Sequence, residues 1–172
     1  MANISFATGT LIIHADSDAI ANRICDIIFD DIASNWEYGT FIDCRHSDDD
    51  REYENSCEAN FTGYGRWTYL NNVESLANWI DSEFKTNPQL NKKDRAFLEA
   101  QKFVIEFFFN DEEEGNLYCA YCKATFTHKA NTPLLNSEAE TDWEEILDYE
   151  SHATYKDDEE YSEEDSAVAV SS

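Results

Sequence analysis

Proline and glycine are rare in this chain, 2 and 5 among 172 residues, which excludes collagen-like repeats and flexible linkers as its main content. No apolar run approaches the roughly 20 residues of a membrane-spanning helix. The opening, MANISFATGTLIIHADS, has neither the basic start nor the long apolar centre of an export signal, so the expected location is the cytoplasm. Nucleophile signatures are missing: there is no G-x-S-x-G, and His14, His46, His128 and His152 sit in no diagnostic setting. Positive charge is what the chain lacks most. Twelve Lys and Arg stand against 37 Asp and Glu, a formal net charge of −25 at pH 7. Charge on that scale disfavours nucleic acid and anionic membranes as direct partners and attracts basic surfaces.

Five cysteines without an export signal read as reduced, buried thiols rather than a disulfide framework. Cys119 and Cys122 have the C-x-x-C spacing of a zinc half-site, but a structural zinc needs four ligands and no second C-x-x-C or H-x-x-x-H follows, which leaves His128 and Cys57 as the residues to complete it. An alternating strand would also point the two to opposite faces. The consecutive acids at 48–50 and 111–114 lack the alternating ligands and glycine of a calcium loop. No metal, cofactor or catalytic residue is assigned, and the chain is read as not an enzyme.

Apolar residues make up 42%, with 11 Phe, 9 Tyr and 4 Trp, enough for a packed core. GTLIIHA (9–15) reads as a buried strand, with His14 a hydrogen-bonded core residue. Ser17 then offers a helix cap before the stripe Ile20, Ile24, Ile27, Ile28, Ile32. WEYGTFIDCR reads as a second strand and SCEANFTGYGRWTY as a third, with Cys57, Ala59 and Phe61 on one face. Asn71 or Asn72 is expected to cap a helix with the apolar face Val73, Leu76, Ala77, Ile80 and Phe84, followed by a short helix, KKDRAFLEAQ. KFVIEFFFN and NLYCAYCKATFTH are two strands joined by the acidic turn DEEEG. This order predicts an α+β fold: a ferredoxin-like split βαβ sandwich over residues 1–137, antiparallel, with helices on one face and one added edge strand. Residues 138–172 hold 14 acids and one lysine and are expected to form an acidic extension, with a short docking helix at 141–149 around Trp143.

FTGYGRWTYLNN looks at first like a phosphate loop. Its glycines precede the next helix by six or more residues, too far for a shared anion cradle, so Gly63 and Gly65 are expected to mark a bulge or bend. Trp67 is expected in the core and Arg66 on the surface, where it is a candidate interface anchor.

The acids of DIIFDDIAS, DDDREYE, NDEEEG and the tail are spread over several elements. In size, acidity and aromatic-rich make-up the chain resembles phage-encoded DNA-mimic inhibitors of restriction and CRISPR systems, a likeness of composition and class that rests on no motif. The resemblance implies a basic nucleic-acid-binding partner, such as a nuclease or CRISPR effector. The expected contact residues are Asp30, Asp31, Asp48, Asp49, Asp50, Arg66, Asp111, Glu112, Glu113, Glu114, Asp157, Asp158, Glu159 and Glu160. Two other readings stand beside it. One is a mobile-element interaction module, in which an uncovered edge or aromatic sheet face could form a homodimer. The other is a metal-assisted enzyme.

Overall fold

A computed structural model describes residues 3–113 and 118–146, with the backbone alone for Tyr118. The elements run β1 (Ile4–His14), α1 (Asp18–Cys25), β2 (Thr40–Arg45), β3 (Ser56–Arg66), α2 (Leu70–Glu74), α3 (Leu76–Thr86), α4 (Lys92–Ala100), β4 (Phe103–Glu113), β5 (Tyr118–His128) and β6 (Glu138–Glu145). The fold is α+β. Six strands make one open antiparallel sheet in the order β2-β3-β1-β4-β5-β6.

Alternation along the strands decides the two faces. Leu11 and Ile13 of β1, Cys57, Ala59 and Phe61 of β3, Phe103, Ile105, Phe107 and Phe109 of β4, and Cys122, Ala124 and Phe126 of β5 form the buried face. The helices cover it. Ser17 caps α1 as expected, its Oγ accepting from the Ile20 N–H at 3.2 Å. Beyond Cys25 the helix widens into a π-turn, Asp26–Ile32, which carries Ile27, Ile28, Phe29 and Ile32 into the core. Val73, Leu76 and Ile80 complete the packing from α2 and α3, and Ala77 and Phe84 flank it.

Three expectations change around β3. Gly63 and Gly65 mark no bulge, since β1 and β3 pair without interruption from Ile4↔Arg66 to His14↔Ser56. They are needed because Tyr69 folds back across them: a Cβ at Gly63 would lie 2.3 Å from Tyr69 Cε2. The bulge sits instead in β2, between Ile42 and Cys44. Trp67 is not core. It takes a left-handed φ of 72° as the chain leaves the sheet and stays 54% exposed. Asn71 and Asn72 do not cap the helix. Asn72 is buried within α2, where Nδ2 donates to Tyr64 O at 2.8 Å and Tyr38 O at 3.0 Å.

The boundary at residue 137 also moves. Glu138–Glu145 is strand β6, paired with β5 from Ala120↔Glu145 to Thr127↔Glu138, so the sheet has two strands beyond the first four. No helix forms over 141–145, and residues 147–149 lie outside the described residues, as does the rest of the tail. No helix is long and apolar enough to cross a membrane among the described residues.

Candidate functional site

The face of the sheet away from the helices is covered at its His14 end by the β2–β3 loop, where Ile12 and Glu58 are buried and Tyr53 packs on His14, and bears exposed side chains elsewhere. Its β1–β3–β2 end exposes an apolar patch of Ile4, Phe6, Phe41 and Tyr64, with Phe6 and Tyr64 5.3 Å apart and Phe41 and Tyr64 6.2 Å apart. Arg66, opposite Ile4 in the register, lies exposed at the margin of this patch beside Trp67. His14, expected in the core, belongs to the open face too, its Nε2 2.8 Å from Glu106 Oε2.

The opposite edge of the same face is acidic. Glu138, Glu140, Asp142 and Glu144 alternate along β6 on one side, and all four are exposed. None is in an ion pair with a described residue. Lys123, the cation facing Asp142 in the register, lies over the Phe108 ring at 5.5 Å. Residues i and i+2 of a strand are about 6.8 Å apart, so the four carboxylates form a straight row. These were missed as strand residues, although E-A-E-T-D-W-E has the period of two that marks one.

The loop between β2 and β3 carries a second acidic group, and a buried carboxylate shapes it. Glu58, 5% exposed, accepts from the N–H groups of Glu52 and Tyr53, each at 2.8 Å through Oε1. Arg51 bonds the Ser56 carbonyl at 2.8 Å and pairs with Asp18 at 2.6 Å. Asp18 also accepts the Ser56 N–H, and these bonds hold its carboxyl below the usual range, Arg51 most of all. Pinned this way, the loop turns Asp48, Asp49 and Asp50 outward. Asp48 shares Arg51 at 3.1 Å, and Asp50 accepts from Ser47 at 2.7 Å.

Asp30 and Asp31 are exposed on the π-turn. Asp30 shares Arg45 with Asp26, at 2.7 and 2.6 Å. Partial desolvation pushes the Asp31 carboxyl up, and the field of Asp94, Asp26 and Asp30 adds to that.

Residues 111–113 are not the solvated turn the sequence predicts. β4 continues through Glu113, and Asp111 faces the core, fully buried. Its Oδ2 accepts from the Tyr69 N–H at 3.0 Å and Thr68 Oγ1 at 2.7 Å, which fastens the turn entering α2 to β4. Glu112 is exposed on the open face and Glu113 is half-buried. Glu114, Asp157, Asp158, Glu159 and Glu160 lie outside the described residues. The structure therefore brings Glu112 and Arg66 to the open face, leaves Asp30–Asp31 and Asp48–Asp50 on separate protrusions, and withdraws Asp111 from any partner.

Cys119 and Cys122 do lie on opposite faces, opposite Glu112 and Phe109 respectively. Burial raises both thiols, Cys122 to about 12. No group of three or more His, Cys, Asp or Glu is placed to hold a metal among the described residues. Both ring nitrogens of His46 are engaged, Nδ1 with Glu58 at 3.5 Å and Nε2 with Asn60 at 3.1 Å.

No protein-family model matches this chain, and searches of curated proteins and of solved structures returned no match.

Proposed function

We propose that the protein is a non-enzymatic inhibitor that blocks a basic nucleic-acid-binding surface of a defence nuclease by presenting an acidic, DNA-like surface. The β6 row carries this reading: four exposed carboxylates, evenly spaced on an edge strand, in no ion pair with a described residue. Carboxylates about 6.8 Å apart fall within the range of phosphate spacings along a DNA strand, so a groove built for phosphates can accept them. Association would be steered by charge and would weaken as salt rises. The compositional resemblance supplies the target class, a nuclease of a restriction or CRISPR system in the host cytoplasm. The scaffold is read as ferredoxin-like, supported by the order β2-β3-β1-β4 of the first four strands and the helices between β1 and β2 and between β3 and β4.

The test is competition. A basic nuclease bound to labelled DNA is titrated with the wild-type protein and with Glu138→Gln, Glu140→Gln, Asp142→Asn, Glu144→Gln combined. The neutral row should compete at least about tenfold more weakly and with a flatter salt dependence. Equal competition by the two would sink the proposal. Deletion of residues 147–172 separates the folded row from the tail.

A second reading has one observation in its favour. The patch of Ile4, Phe6, Phe41 and Tyr64 suits a protein-interaction module of a mobile element, bound through apolar contact that salt does not weaken. Self-association through β6 is disfavoured, because a second copy would set carboxylate against carboxylate along the edge.

A further inference from the structure

Between the π-turn and β2 the chain passes through Trp36, Glu37 and Tyr38 and packs against α3. Trp36 and Trp79 meet edge to face, 4.9 Å between ring centroids at 79°. Trp36 Nε1 donates to Glu83 Oε1 at 3.2 Å, and Asn87 Nδ2 reaches Glu83 Oε2 at 3.5 Å, so the indole and the carboxylate hold each other in place. Together with Glu37, Tyr38 and Ser82 they line an open cleft of about 270 Å³. Three of its six lining residues are aromatic, Trp36, Tyr38 and Trp79, and its charged groups are both carboxylates. The neighbouring cation on α3, Lys85, is turned to Asp81 at 2.6 Å.

We infer that this cleft is a receptor for an arginine side chain of the basic partner. Three features select that chemistry. Indole faces attract a guanidinium both electrostatically and by stacking, and Arg is favoured over Lys because its planar fork also matches a carboxylate. Glu37 and Glu83 repel anions and favour a cation, and the exposed Glu37 has room to meet its charge. The volume falls below the 300–1,000 Å³ or so of sites for drug-sized ligands and suits a single side chain. The tail of this chain is a poor occupant, because residues 147–172 carry nine acids and one lysine. The inference rests on the proposal of a basic target and names one anchor by which that target would be held, well away from the β6 row.

The test uses the full chain with Trp67→Phe and Trp143→Phe, both exposed positions, so that Trp36 and Trp79 report alone. N-acetyl-arginine amide and its neutral isostere, N-acetyl-citrulline amide, are titrated while tryptophan fluorescence is followed. The arginine derivative should give a saturable change with a Kd on the order of 1–10 mM. Citrulline should bind at least tenfold more weakly, and Glu83→Gln, whose amide oxygen can still accept the Trp36 N–H, should cost arginine a similar factor. Equal response to citrulline would overturn the assignment, as would no saturable response to 100 mM arginine from a chain whose circular dichroism is native. No target is present in this titration. Its failure therefore removes the cleft and leaves the competition experiment standing, and failure of the β6 variant leaves the titration standing.

Discussion

Asp111→Ala removes, in one step, the acceptor for two donors at the buried start of α2. The Tyr69 N–H reaches Asp111 Oδ2 at 3.0 Å and the Thr68 hydroxyl at 2.7 Å, with Asp111 itself at 0% exposure. Each buried donor left unpaired costs about 1–3 kcal/mol, and the Thr68 hydroxyl recovers part of its share by rotating, so the sum is about 2–4 kcal/mol. At about 2–4 °C per kcal/mol for a chain of this size, a loss of about 3 kcal/mol lowers Tm by about 6–12 °C. Asp111→Asn keeps an acceptor and withdraws a charge whose second oxygen has no partner among the described residues, so it should cost less than about 1.5 kcal/mol. Glu112→Ala, one residue along on the open face, should stay within about 0.5 kcal/mol. The assay is thermal unfolding followed by circular dichroism at fixed pH and salt. If Asn falls as far as Ala, charge matters and the acceptor role of Asp111 is refuted. If Ala melts with the wild type, the carboxylate is not structural at all.

Gly63→Ala should cost about 1–3 kcal/mol in urea unfolding, because its Cβ meets the Tyr69 ring, which Thr40 holds by a 2.6 Å bond; Tyr69→Leu in that background should recover part of the loss. His128 is buried, its Nε2 donating to the Glu99 carbonyl and Nδ1 accepting from Ser137, and burial lowers its pKa. Below about pH 6.5 the unfolded chain then binds a proton that the folded one resists, so stability falls as pH drops from there to the folded pKa. His128→Gln should flatten that slope, and an unchanged slope would refute the neutral assignment. Asp81 and Asp18, held low chiefly by Lys85 and Arg51, act further down: their contribution is full above about pH 4 and is lost as pH falls through their depressed values. Cys44 is the exposed thiol, so a disulfide reagent should label one cysteine quickly in the native state and the other four only in denaturant. Raising NaCl should raise Tm by screening self-repulsion while weakening target binding, and parallel trends would contradict the charge argument.

Much of the sheet was legible in the sequence because alternation and helical stripes survive in it. The Ser17 cap, the isoleucine stripe and the Cys57, Ala59, Phe61 face are local patterns, and each was found where it was read. What failed depended on distant partners. Asp111 looked like one of four solvated acids, and only Thr68 and Tyr69, more than 40 positions earlier, make it a buried acceptor. Trp67 looked like core because Trp usually is, but the turn out of β3 demands a left-handed residue there and swings the ring outward. β6 was hidden by its charge. An edge strand needs only the backbone of β5 and, on the helix side, the half-buried Ala139 and Thr141, so its pattern never showed the strongly apolar alternation that marks a central strand.

The distribution of the few cations explains how so acidic a chain holds together and why the remaining acid faces outward. Four of the five arginines tie separate elements on the helix side or beside it: Arg23 of α1 to Asp94 of α4, Arg45 of β2 to Asp26 and Asp30, Arg51 to Asp18, and Arg95 of α4 to Asp81 of α3. Exposed pairs of this kind add little each, but they cancel repulsion where carboxylates would otherwise crowd packed helices. The fifth, Arg66, stands at the apolar end of the open face, and no described acid pairs with it. Four arginines thus link packed elements, and the carboxylates of the β6 row are in no ion pair with a described residue. The lysines do not follow this pattern: Lys85 pairs with Asp81, while Lys123 stands on the open face opposite Asp142.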